Sequence, residues 1–289
     1  MERQYLRTER AHFMCPNMHF GMLMELERGY EEDRVEETLQ RMAEAHPFLN
    51  SLVACEDGTD MLYYHVTEHS QIYTEVREDE SALWTDYHVI AKQDWNVLEE
   101  GLLKVYFYPK EQEMTVLFVA HHLLTDGRGL LELAQEFADA YVGEKNPVYA
   151  EEHLIESIED LPGKSNLSGI SKMLVRQANA QWKKENHTVS YEQYRSFAIE
   201  YGEKHPVEYK TYEADAEAVT QMKQLCKENG FTMNDLLMAH MYIETGTSKI
   251  IIASDIRDCL KKYRKGALGN YATALGIVCK TRTDRKSVV

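Results

Sequence analysis

Residues 114 to 143 read MTVLFVAHHLLTDGRGLLELAQEFADAYVG, and no other stretch limits the fold so tightly. It opens as an unbroken apolar run, the pattern of a strand buried on both faces. It closes with Leu130, Leu133, Ala134, Phe137 and Tyr141 at helical spacing, and Gly143 marks the stop. A buried strand passing through a short turn into an amphipathic helix calls for helices packed on a sheet, an α/β fold. Adjacent side chains on a strand point to opposite faces, so His121 and His122 do not ligate one metal together. Asp126 suits a helix N-cap, and Gly127 suits a sharp turn. The residues alone leave two readings open. One is a capped turn behind two core histidines; the other is an acid/base centre with one histidine facing a cleft.

The flanking sequence supplies the remaining elements. MHFGMLMELE suits a strand, and YEEDRVEETLQRMAEAH is a helix with Val35, Leu39, Met42 and Ala43 on one face, stopped by Pro47. FLNSLVACE and MLYYHVTE form a hairpin around Asp57-Gly58, ESALWTDYHVIAKQ is helical, and LLKVYFYPK pairs with MTVLFVAHH across EQE. Residues 144 to 169 are rich in turn formers and mark a boundary, followed by a polar helix over about 170–186. Beyond it come a strand (VEYKTYEA), two helices (EAVTQMKQLCKENG and TMNDLLMAHMYIE) and two strands (SKIIIASDI and NYATALGIVCK). The expected partition is 1–145, a crossover with a helix over 146–205, and a partial second unit over 206–283. The last six residues, DRKSVV, are what a common sequencing adapter encodes in one frame. Residues 284–289 are therefore expected to be read-through, with the natural gene continuing past about Arg282.

Charge and cysteine usage exclude several function classes. A formal charge of −16 argues against nucleic acid and anionic membranes, which need a concentrated basic surface. No apolar stretch approaches the roughly 20 residues of a membrane span. The start, MERQYLRTER, lacks the apolar centre of a signal peptide, so a cytoplasmic location is expected. Cys15, Cys55, Cys226, Cys259 and Cys279 are scattered and read as reduced thiols. The grouping of His12, Cys15 and His19 lacks a second ligand pair, and packing explains it better than metal. No metal is expected.

The spacing HHxxxDG, after a buried strand and before an amphipathic helix, resembles the signature of the superfamily containing chloramphenicol acetyltransferase. That group includes condensation domains of nonribosomal peptide synthetases, plant acyltransferases and alcohol or wax-ester acyltransferases. QRMAEAHPFLNSLV resembles the family's early helix-to-strand segment, with Asn50 where arginine is common. ENGFTMNDLLMAHMY, ASDIRD and ALGNYATALGIVCK resemble its later segments in order, spanning about two thirds of a usual member. The resemblance implies a two-layer α/β sandwich with a mixed sheet, an N-terminal unit followed by part of a second.

It also implies roles. The second histidine, His122, would be the general base, taking a proton from a hydroxyl or amine acceptor as it attacks an acyl thioester. His121 would be its packing neighbour, Asp126 would pair with Arg257, and Gly127 would keep a substrate entrance open. Asn270 and Thr273 are candidates for contacting the oxyanion or the acceptor. The implied co-substrate is acyl-CoA or a phosphopantetheine thioester on an acyl- or peptidyl-carrier protein, with no bound cofactor. The basic island KKYRKG, with Lys261, Lys262, Arg264 and Lys265, reads as a phosphate landing site or as a solvated loop. Other readings stay open: a peptide-bond-forming condensation domain, an idle condensation-like platform for carrier proteins, and an ordinary α/β protein with a capped turn.

Overall fold

In the computed structural model the described residues are 3–15, 18–59, 61–155, 157, 160–161, 167–185, 189–205 and 213–279. Chain order is β1 (Gln4–Tyr5), α1 (Arg10–Met14), β2 (His19–Leu26), α2 (Glu32–Ala45), β3 (Ser51–Cys55), β4 (Leu62–Val66) and β5 (Tyr73–Val76). Then follow α3 (Leu83–Ile90), β6 (Leu103–Pro109), β7 (Met114–His121), α4 (Gly127–Tyr141), α5 (Gly169–Glu185) and α6 (Tyr191–Lys204). The last elements are α7 (Ala216–Asn229), α8 (Met233–Thr245), β8 (Lys249–Asp255) and β9 (Ala272–Val278).

Contacts divide the chain into one unit of Met1–Lys204 with Ile256–Tyr271, and another of His205–Asp255 with Ala272–Val289. This differs from the partition drawn from composition. Residues 256–271 join the first unit because Arg257 and Tyr271 bury their side chains there. Residues after 145 join it too: Ala150 and Leu154 are core, and Tyr191 stacks on Phe13 with ring centres 4.4 Å apart.

The first unit is built on a mixed sheet in the order β2-β7-β6-β5, antiparallel except where β5 runs parallel to β6. Every residue of β7 is buried, as its apolar run requires. Phe118 of β7 and Phe107 of β6 pack on Phe137 of α4, so alternate residues of β7 meet the helix layer formed by α2 and α4. The opposite parity meets α3: an added Cβ at Gly21, the partner of Val119, would lie 2.7 Å from Tyr87 and 3.3 Å from Leu117. A second sheet, β1-β4-β3, contains the anticipated hairpin, and Gly58 in its turn has φ +76°. Tyr64 of β4 stacks on Phe48.

In the second unit, α7 starts on the N-cap Asp215 and ends on Gly230 at φ 70°, while α8 opens with a Thr232–Asp235 capping box. β8 and β9 pair antiparallel, with Ser254 opposite Thr273. β1, α1, β5 and α6 were not anticipated; for the last two, four largely exposed residues and a helix with no buried position leave little periodicity to read. The strand expected at VEYKTYEA falls mainly on 206–212, outside the described residues, as do residues 284–289. Among the described residues, no helix is long and apolar enough to cross a membrane.

Candidate active site

β7 ends at His121, and the ladder continues by one bond: the His122 amide donates to the Met18 carbonyl at 2.7 Å. Strand parity therefore still governs the two imidazoles, although His122 is the first residue of the turn. His121 pairs in register with His19 and meets the Trp95 ring edge-on at 5.7 Å. His122 lies on the other side, against Phe20 at 4.5 Å and stacked on His12 with ring centres 5.2 Å apart.

Different burial sets the protonation of each ring. Burial pushes His121 down to about 3, helped by the nearby His19, His122 and His12, and its Nδ1 accepts from the Leu123 amide at 3.2 Å. His122 is only half-buried. Its pKa is lowered from 6.5 mainly by lost hydration and then by His12, while Asp126 and the Thr125 carbonyl oppose the shift more weakly. Its Nδ1 is buried and has no protein hydrogen-bond partner. At neutral pH both rings are neutral, and only His122 retains some exposure.

A stability consequence follows. The unfolded chain protonates His121 below its ordinary value of 6.5, whereas the folded chain holds it neutral down to about 3. Its contribution is present above 6.5 and lost as pH falls. The expected slope from this one group is up to about 1.4 kcal/mol per pH unit, and His121→Gln should remove it in urea titrations between these limits.

The turn itself is clamped. The Asp126 side chain caps α4, Oδ1 accepting from the Gly129 amide at 3.0 Å. The same carboxylate takes a two-pronged bond from Arg257, Nη1 to Oδ2 at 2.9 Å and Nη2 to Oδ1 at 2.8 Å, and Oδ2 accepts from the Tyr271 amide at 2.8 Å. Asp126 and Arg257 are both buried, and the guanidinium lies over the Tyr271 ring at 4.9 Å. Across the turn, the Tyr64 hydroxyl donates to the Leu123 carbonyl at 2.6 Å. The segment carrying His122 is thus fixed from β4, from β2 and from residues 257–271 at once.

Gly127 does not play the conformational part expected of it. Its φ is not positive, and an added Cβ would meet nothing within 4 Å. The constrained glycine is Gly129, where a Cβ would fall 1.9 Å from Thr125 Oγ1 and 3.2 Å from Arg257 Nη2. Gly129→Ala should therefore cost about 1–3 kcal/mol by overpacking. Gly127→Ala should leave thermal stability within about 0.5 kcal/mol of wild type in melts run side by side.

The other sequence candidates are dispersed. The Asn270 amide Nδ2 lies 2.9 Å from His12 Nε2. Thr273 is an exposed residue of β9 in the second unit. Lys262 pairs with Asp160 at 2.9 Å, Arg264 donates to the Tyr263 carbonyl at 3.3 Å, and Lys261 is exposed. Lys265 lines a cleft of about 660 Å³ with Arg128, Glu132, Glu136 and His46. His12, His19 and Cys15 do not converge: the first meets His122, the second Trp95, and Cys15 Sγ lies 3.7 Å from the Tyr194 hydroxyl. Sequence reading weighed His12 only as a metal ligand and missed Tyr64, Gly129 and Tyr271. Only Gly129, the small residue three places after Asp126, gave any local hint.

This combination of a buried strand, a clamped HHxxxDG turn and an arginine reaching it from far along the chain defines a family. A family model described as Condensation domain matches residues 17–258, and the chain belongs to that family. A stretch of 129 residues is 27% identical to Surfactin synthase subunit 2 of Bacillus subtilis (strain 168), covering 42% of this chain and 4% of that protein. The chain thus spans only a small part of that relative. The fold is similar to the condensation domain from Monacolin K polyketide synthase MokA (TM-score 0.58, 13% identity, 96% of this chain and 67% of that one). It is also similar to the first condensation domain of the calcium-dependent antibiotic synthetase in complex with a substrate analogue (TM-score 0.59, 9% identity, 95% of this chain and 67% of that one). A third likeness is the epimerization domain from the third module of tyrocidine synthetase B (TM-score 0.55, 15% identity, 95% and 66%). The protein has the mixed α/β condensation-domain fold.

Proposed function

We propose that this chain transfers an acyl group from a phosphopantetheine-type thioester to an amine or hydroxyl, with His122 as general base. The observation that carries the reading is the contrast between the paired imidazoles. One is packed away and the other is half-buried, neutral and held on a turn clamped from three directions. A structural histidine pair would not need one ring kept accessible.

The chemistry balances on that ring. As the acceptor nitrogen or oxygen bonds to the thioester carbonyl carbon, its proton passes to neutral His122. The carbonyl oxygen carries the negative charge of the tetrahedral intermediate. When it collapses, the carbon–sulfur bond breaks and the imidazolium returns the proton to the thiolate. Asp126 does not share in the proton transfer on this reading; its carboxylate is occupied by Arg257, Tyr271 and Gly129. The Asn270 amide, engaged with His12, is not assigned to the oxyanion. The exposed cations Lys261, Arg264 and Lys265 would attract the donor's phosphate, with Lys262 offset by Asp160.

Membership in the Condensation domain family supports a carrier-bound donor over free acyl-CoA. The test is to offer the full chain acyl-phosphopantetheinyl carrier protein or acyl-CoA, with panels of amines and alcohols, and to follow thiol release. Release that depends on His122 and is faster with the carrier-bound donor is the expected result. Carrier binding without release from any donor would establish an idle platform instead.

A further inference from the structure

The mechanism gives no part to the imidazole that stacks on His122. His12 belongs to α1, far from the motif in sequence, yet its ring lies face to face with His122, centres 5.2 Å apart and planes 18° from parallel. Its Nε2 is 2.9 Å from the Asn270 side-chain nitrogen, and its Nδ1 is buried with no hydrogen-bond partner. An amide nitrogen only donates, so Nε2 accepts and the proton of neutral His12 sits on Nδ1.

We infer that His12 is a positioning residue for the reaction: partly buried beside the neutral Asn270 amide, it stacks on His122 and sets how readily His122 takes up a proton. The inference rests on the general-base reading of His122.

Charge at close range couples the two rings. His122 becomes an imidazolium during the transfer, and a second cation one ring-stack away would oppose that. The titratable groups whose charge bears on His122 are His12 from α1, His19 from β2, His121 before it in the chain and Asp126 at the head of α4. Asp126 is already bound to Arg257, His19 and His121 lie on the opposite side of the strand, and among the described residues His12 alone stacks on the ring. Burial lowers the His12 pKa below 6.5, and the uncharged Asn270 amide beside it does not oppose this, whereas a carboxylate at that point would draw a second proton onto the ring. The His122 ring also packs against Phe20, with centres 4.5 Å apart and planes tilted by 40°.

The test is nitrogen NMR of the labelled imidazoles in the full chain, titrated with pH in wild type, His12→Gln, Asn270→Asp and the double variant. Wild type should show His12 unprotonated at Nε2. Asn270→Asp should raise the His12 pKa and lower that of His122 by about 1 unit. His12→Gln should raise the His122 pKa by about 0.5 unit and abolish the effect of Asn270→Asp. A role in packing alone would alter melting without these opposed shifts. His122 titrating within about 0.2 unit of wild type in both single variants would overturn the inference. Should Asn270→Asp not fold, His12→Gln decides alone. These titrations do not depend on turnover, so active His122→Ala would remove the base assignment while leaving the coupling between the rings measurable.

Discussion

Asp126→Ala is expected to destabilise the first unit by about 3–5 kcal/mol, the cost of leaving a buried guanidinium without its partner. The figure exceeds the roughly 1 kcal/mol of an ordinary N-cap because this carboxylate does more than cap α4. Its two oxygens accept from Gly129, from both terminal nitrogens of Arg257 and from the Tyr271 amide, all within 3.0 Å. Arg257→Ala should cost a similar amount, and the two losses should not add: once either partner is gone, removing the other relieves an unpaired charge. Arg257→Lys should fall between, since an ammonium cannot make the two-pronged bond. By contrast the exposed Arg128–Glu132 pair should contribute under about 0.5 kcal/mol, so Glu132→Ala serves as the control. Tryptophan fluorescence in urea is a suitable probe because Trp84, Trp95 and Trp182 all lie in the first unit. A midpoint for Asp126→Ala matching that of Glu132→Ala would show that the pair is not the buried clamp described here.

How much of this could be read beforehand depended on the range of the interaction. The strand, turn and helix of 114–143 are legible because each is set by residues within a few positions of one another. The parity of β7 even separated the two histidines, and that separation survived although His122 lies just past the strand. Long-range partners were a different matter. His12 meets Asn270 across 258 positions and Tyr64 meets Leu123 across 59, and no local pattern marks either. Arg257 was reached only through the resemblance to acyltransferases, not through any spacing. Gly127 and Gly129 look equivalent in the string DGRG, but one faces open space and the other lies against Thr125 and Arg257. Steric demand is a property of the packed neighbours, so only the fold could tell them apart. The contact-defined units divide the chain differently from its composition for a related reason: turn-forming composition marks where the chain is exposed, while buried side chains decide which segments belong together.

The largest functional effect should come from His122. On the general-base reading, His122→Ala should lower turnover of the thioester by about 10²–10⁴-fold while binding of the donor is retained, so the loss appears in kcat and not in KM. The fold should be unaffected, since the Asp126–Arg257 clamp and the Tyr64–Leu123 bond make no use of the imidazole. The pH dependence gives an independent check. Lost hydration and His12 both lower the His122 pKa below 6.5, and the neutral ring is the active form. Activity should therefore persist below pH 6.5 and fall only as the pH drops through the lowered value, placing the acid limb of kcat/KM beneath that of a solvent-exposed histidine. The lowered pKa has a cost, because a less basic ring accepts the acceptor's proton less readily. Amines that arrive partly deprotonated should accordingly be better acceptors than alcohols. A soluble His122→Ala protein with undiminished turnover, or an acid limb that rises above 6.5, would rule out this imidazole as the base.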